Sequence, residues 1–306
     1  MTYNIVEHTV KSSDGIHTLK GKILIPDGEI KGIFHLVHGM TEYIDRYDGI
    51  FTYLCEMGYV CCGYDNLGHG KTVNDDSELG FIAQKDGWRY LVRDVGIFGE
   101  SVRAMFPDKD YFLMGHSMGS FIVRLATEEK PEKIKKLVVC GTGGPMFVAY
   151  LGLGLIKIIR AVKGDLYVSP LAESIAFGAY NKRFDGPTKY EWLTSDRATI
   201  DKYVKDKYCT FKFTVSAMHD LITLTVRCNR GAWFKNIKKD LPILLVAGEC
   251  DPVGNYGKGV KAVYRKLLKA GHRDTDIKLY NDCRHEILND TCKTQVSQDI
   301  LDFLRN

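Results

Sequence analysis

Short apolar runs recur along the chain, each bounded by Gly, Pro, Asp or charged residues. Residues 18–25, 32–37, 59–64, 111–114, 136–140, 243–247 and 277–280 read as strands, several apolar enough to be buried on both faces. Between them the apolar positions take a helical period. Trp88, Leu91, Val92, Val95, Phe98 and Val102 form one stripe; Val260, Val263, Tyr264, Leu267 and Leu268 form another, which ends at Gly271. Strands alternating with helices predict an α/β fold, a mainly parallel sheet flanked by helices. Adjacent Cys61 and Cys62 should face opposite sides of one strand.

The alternation stops over residues 144–235, where helical patterns run on without a convincing buried strand. This stretch reads as a helical cap inserted between two parts of one core, 1–143 and 236–306. It holds 14 Lys and Arg against 8 Asp and Glu, so it carries more than the whole net charge of +4. Such a face is either simply solvated or meets an anionic lipid or substrate, with transient contact at a membrane surface. Along residues 146–162, Phe147, Leu151, Leu155, Ile156, Ile158 and Ile159 leave Lys157 and Arg160 as charges on one side of a nearly all-apolar helix. That surface must be buried somewhere, either on the core or as an acyl-binding wall or interfacial lid. Leu151 and Leu155 are the candidate substrate-binding residues.

Hydrophobic residues at 45% and charged residues at 26% fit neither a disordered chain nor a membrane bundle. The longest uncharged apolar stretch, 146–156, is too short to span a bilayer. The N-terminal residues lack the basic segment and apolar run of a secretory signal, which points to the cytoplasm. Nine cysteines, an odd number without metal-ligand spacing, fit buried reduced thiols better than disulfides or zinc. No metal and no nucleic-acid partner are expected, and the oligomeric state is not readable.

The chemistry concentrates where strands end. Gly115-His116-Ser117-Met118-Gly119 follows an apolar strand, and a helix reads directly from Ser117 through Phe121, Ile122, Leu125 and Ala126 to a stop at Pro131. A serine on a strand-to-helix turn, with glycines two residues to either side, is the arrangement of a nucleophile elbow. A serine nucleophile needs a base and an acid that orients it. His38, His69 and His116 stand in glycine-bounded turns that favour loop-orienting roles. His285 follows the last strand and precedes the C-terminal helix, which makes it the candidate base. For the acid, Gly248-Glu249-Cys250-Asp251-Pro252 follows strand 243–247; Asp251 is the choice and Glu249 the reserve. Two backbone N–H groups should stabilise the oxyanion, from Met118 after the nucleophile and from Met40 in the loop after strand 32–37.

His38-Gly39-Met40, Asp65-Asn66-Leu67-Gly68-His69-Gly70, the Ser117 elbow, Asp251 and His285 together resemble the α/β-hydrolase superfamily. Within it the chain is similar to the monoacylglycerol lipase and lysophospholipase-like enzymes grouped with serine aminopeptidase-type hydrolases. The resemblance covers about residues 18–304. Relatives often carry His-Gly-x-Gly-Glu-His, whereas Thr41 and Tyr43 stand here at the later Gly and His positions. The resemblance implies a cofactor-independent serine esterase for a small ester or lipid, working through an acyl-enzyme with Ser117, Asp251 and His285. The same fold also carries peptidases, and hydrolase-like receptors that bind a ligand without turning it over.

Overall fold

The computed structural model describes residues 2–129 and 133–306. Eight strands form one sheet: β1 (Tyr3–Lys11), β2 (Thr18–Pro26), β3 (Gly32–Val37), β4 (Tyr59–Tyr64), β5 (Tyr111–His116), β6 (Lys136–Cys140), β7 (Ile243–Gly248) and β8 (Thr275–Tyr280). Their order is β1-β2-β4-β3-β5-β6-β7-β8. The β1–β2 and β2–β4 pairs are antiparallel, and all others are parallel. Strands β3 to β7 are buried along their full length because helices cover both faces, and this produces their continuous apolar sequence.

Successive residues serve different layers. Ile33, Val37, Leu113, Val139 and Leu245 pack against α2 (Gly87–Met105), α3 (Met118–Glu129) and α10 (Lys258–Lys269). Phe34, Leu36, Met114, Val138 and Leu244 pack against α1 (Asp48–Glu56) and α11 (Lys293–Arg305). Cys61 and Cys62 fall into these opposite clusters, as the pleat requires. All seven expected strands are present. Strand β1 was not expected: it pairs with β2 along its whole length as an edge, and most of its side chains stay exposed. Without a buried face it carries no apolar alternation.

Between β6 and β7 the described residues form helices and no strand: α4 (Phe147–Lys163), α5 (Pro170–Phe177), α6 (Arg197–Tyr203), α7 (Lys207–Thr210), α8 (Val215–Cys228) and α9 (Gly231–Asn236). The last two pack into the main core. Trp233 of α9 is buried and donates from Nε1 to the Arg124 carbonyl of α3, with the Arg124 guanidinium 4.2 Å over its ring. Arg124 in turn donates to the Cys228 carbonyl at the end of α8. A buried cation placed on the last carbonyl of a helix is stabilised by the helix dipole.

Helix α4 behaves differently. Only Ile156 is buried, while Phe147, Leu151 and Val162 are 79%, 62% and 72% exposed. One side of α4 packs on α8 and joins the core through Ile156, so core packing accounts for part of its apolar surface and leaves the face with Phe147, Leu151 and Val162 uncovered. The stop expected at Pro131 lies outside the described residues.

The cysteine reading needs one correction. Cys283 and Cys292 form a disulfide across the loop between β8 and α11, while the seven other cysteines are free. Cross-linking so short a loop removes unfolded-state entropy worth about 2–3 kcal/mol. Cys283→Ser should lower stability by about that amount, and reductant should do the same to the natural chain in a denaturant titration.

Candidate active site

The loops that leave β3, β5, β7 and β8 meet at the C-terminal edge of the sheet. Ser117 stands where β5 gives way to α3, with φ +53°, a conformation that side chains rarely adopt. Its N–H donates to the Cys140 carbonyl at 3.0 Å and its carbonyl accepts from Ser120 N–H, which fix the turn from both sides. The flanking glycines are sterically required. A Cβ on Gly119 would lie 2.0 Å from the Val37 carbonyl oxygen, and one on Gly115 would lie 2.2 Å from the Gly119 carbonyl oxygen.

Asp251 and His285 come together although 34 positions separate them in sequence. His285 Nδ1 lies 3.0 Å from Asp251 Oδ1, with the two side chains 3% and 0% exposed. Asp251 Oδ1 accepts from Val253 N–H at 2.8 Å, which holds the carboxylate in place. Glu249, the reserve acid, is exposed instead. Ser117 and His285 line one cavity of about 420 Å³, and Met40 and Met118 line it with them. Met118 opens α3, so its N–H belongs to the helix-start donors that have no acceptor within the helix. A Cβ on Gly39 would sit 2.9 Å from Ser117 Cβ, which shows how closely the β3 loop approaches the serine.

A buried polar network behind these residues was not read from the sequence. Glu42 accepts from Gly39 N–H and from Tyr47 Oη–H at 2.8 Å. Its Oε1 is 3.1 Å from His116 Nδ1, and His116 Nε2 is 3.2 Å from the His285 carbonyl. Arg46 donates to both oxygens of Glu286, at 2.8 and 2.6 Å, and to Glu42 at 3.3 Å. Burial disfavours the charged form of His116, but the adjacent Glu42 carboxylate outweighs it and raises the imidazole above its ordinary range. For Glu42, burial is likewise outweighed by His116 and Arg46, which hold the carboxyl well below its ordinary value. Two buried anions are thus matched by Arg46 and His116. The sequence clue was two carboxylates, Glu42 and Glu286, each beside a glycine- or histidine-bearing loop.

Two other histidines sit deep with no carboxylate hydrogen-bonded to them among the described residues. Burial pushes His35 and His69 down to about 3. Their folded values lie below the ordinary 6.5, so the unfolded chain binds more protons between those limits. Stability from these sites is present above pH 6.5 and is lost as the pH falls towards 3. Calorimetry across that window should record a falling thermal midpoint.

The cavity wall is apolar around Phe121, Met146, Phe177, Phe213, Met218 and Leu221. Leu151 and Leu155 do not line it; Leu151 faces solvent and Leu155 is half-buried. Helical period identified the apolar side of α4 but not what lies against it, and the cavity wall is built by other residues. Among the described residues no helix is long and apolar enough to cross a membrane.

A family model for serine aminopeptidase, S33, matches residues 28–292. The chain belongs to this S33 family. Among curated relatives, mouse monoglyceride lipase is 22% identical over 264 residues, covering 85% of this chain and 77% of its own. Monoacylglycerol lipase of Mycolicibacterium smegmatis is 21% identical over 309 residues, covering 97% and 96%. A solved thermostable carboxyl esterase from Bacillus coagulans, in complex with glycerol, superposes with a TM-score of 0.93 at 28% identity, covering 99% of both chains. Monoglyceride lipase of Saccharomyces cerevisiae, in complex with a substrate analog, gives 0.78 at 18% identity, covering 99% of this chain and 95% of that one. The α/β-hydrolase fold expected of the S33 family is the fold observed.

Proposed function

We propose that the chain is a serine hydrolase that cleaves carboxylic esters through an acyl-enzyme, with single-chain lipid esters of the monoacylglycerol or lysophospholipid type as substrates. The observation that carries this reading is Ser117 on its elbow in one cavity with His285, which is backed by buried Asp251. Ser117 Oγ attacks the ester carbonyl while His285 Nε2 takes the hydroxyl proton, and Asp251 stabilises the imidazolium. The Met40 and Met118 N–H groups receive the oxyanion. As the C–O bond breaks, His285 returns the proton to the leaving alcohol; water then repeats the sequence and releases the acid. No cofactor takes part.

The apolar wall suits an acyl chain, since each methylene removed from water contributes about 0.8 kcal/mol. An aminopeptidase would need a free carboxylate for the substrate amine. Glu42 and Glu286 line the cavity but are both engaged by Arg46, and Glu173, the third lining carboxylate, is paired with Lys189 and Lys212, which favours ester over peptide. p-Nitrophenyl esters of increasing chain length should be hydrolysed with kcat/KM rising from acetate towards longer acyl groups, beside monoacylglycerol and lysophospholipid, with aminoacyl anilides inert. Turnover of the anilides alone would assign a peptidase; turnover of nothing, without labelling by a fluorophosphonate, would assign a receptor.

The exposed face of α4 continues into Leu166, Leu171 and Ile175, with Lys157 and Lys163 nearby in the chain. An apolar face of this extent with basic neighbours suits transient insertion among lipid head groups. Phe147→Ser with Leu151→Ser should weaken sedimentation with anionic vesicles by roughly tenfold while p-nitrophenyl acetate turnover stays within about twofold. Equal losses in both assays would make the face a structural element of the cap.

A further inference from the structure

The rim of the cavity carries charges of a different kind from those at its floor. Glu173 comes from the first turn of α5, Lys212 from the segment that leads into α8, and Lys189 from the turn region between α5 and α6; all three line the cavity. Lys212 Nζ is 2.7 Å from Glu173 Oε2 and Lys189 Nζ is 3.7 Å from Glu173 Oε1, so two cations share one carboxylate. Their side chains are 48%, 60% and 30% exposed, in the order Lys212, Lys189, Glu173. At the floor, Glu42 and Glu286 are buried and held by Arg46 and His116. Lys189 and Lys212 are the lysines among the described lining residues, and no arginine lines the cavity with them.

Exposed ion pairs of this sort are worth about 0–1 kcal/mol each. An anion with more acceptor oxygens than a carboxylate, such as a phosphate, therefore displaces Glu173 at little cost and satisfies both ammonium groups at once. We infer that Lys189 and Lys212 select single-chain esters whose polar half carries a phosphate group, with Glu173 occupying the anion position until substrate arrives. This rests on the ester-hydrolase reading of the same cavity. The acyl chain lies along the apolar wall, the carbonyl reaches Ser117, and the phosphate stays at the rim where water still reaches it. Glu173 sets the threshold. Its charge competes with the incoming anion, so its removal favours phosphate-bearing substrates over neutral ones.

The test compares 1-lauroylglycerol with 1-lauroylglycerol 3-phosphate, both kept monomeric and without vesicles, and reads the ratio of their kcat/KM values. The natural chain should hydrolyse the phosphorylated ester at least as efficiently as the neutral one, with the ratio falling as NaCl is raised. Glu173→Gln should raise the ratio several-fold, and the double variant Lys189→Met, Lys212→Met should lower it roughly tenfold. Opposite movements in the two variants cannot arise from damage to folding. A ratio that neither variant moves, or that both move in the same direction, overturns the assignment. Hydrolysis of the neutral ester alone by the natural chain overturns it too and leaves the esterase reading standing. Failure on both esters, without fluorophosphonate labelling of Ser117, removes that reading and this one with it. Inorganic phosphate, assayed against the neutral ester, should compete more weakly than the phosphorylated lipid because it lacks the acyl chain. Stronger competition by the free ion overturns the head-group assignment.

Discussion

Ser117→Ala should lower kcat for ester hydrolysis by roughly four to six orders of magnitude while the thermal midpoint stays near that of the natural chain. The hydroxyl is the atom that becomes acylated, and no neighbour can replace it. The fold should tolerate the change, because the turn is held by backbone bonds to Cys140 and Ser120 and not by the serine oxygen. Alanine takes the same left-handed backbone at a cost no greater than serine's. Steady-state kinetics on a p-nitrophenyl ester measures the loss, and a fluorophosphonate probe checks the site. Labelling should vanish in the variant, and labelling of another serine would move the nucleophile elsewhere.

Asp251→Asn should cost about four orders of magnitude in kcat. The amide keeps the shape of the carboxylate but cannot stabilise an imidazolium, and its NH2 favours the wrong tautomer of His285. Glu249→Gln is the internal comparison. That side chain is exposed, so its loss should change kcat by less than about threefold. A reversed ranking would transfer the acid role to Glu249.

The strands of the central sheet were legible because burial on both faces leaves few polar positions in them, His35 and Lys136 among the exceptions. An edge such as β1 needs only backbone partners and hides from any reading of periodicity. Ser117, Asp251 and His285 stood out because each follows a strand at the same sheet edge, so their order along the chain already implied proximity. Arg46 had no such marker. Its partner Glu286 lies 240 residues away, and nothing local distinguishes it from a surface arginine. The disulfide was missed for a related reason: an odd number of cysteines spread among apolar strands conceals one pair that a loop happens to close. Leu151 and Leu155 show the limit of amphipathic patterns, which identify an apolar face but not the surface or solvent that meets it.

Chain order has a consequence for synthesis. The serine and the β3 loop precede the helical insertion, whereas Asp251 and His285 follow it, and β6 meets β7 only after the insertion has been made. At roughly 5–20 residues per second, a ribosome takes about ten to thirty seconds to pass from Ser117 to His285. On the proposed assignment, throughout that interval the nascent polypeptide would hold a nucleophile without its base and should not turn over esters. Two fragments divided within the insertion should likewise be silent apart and regain turnover only on reassociation, with the β6–β7 seam acting as a built-in complementation joint.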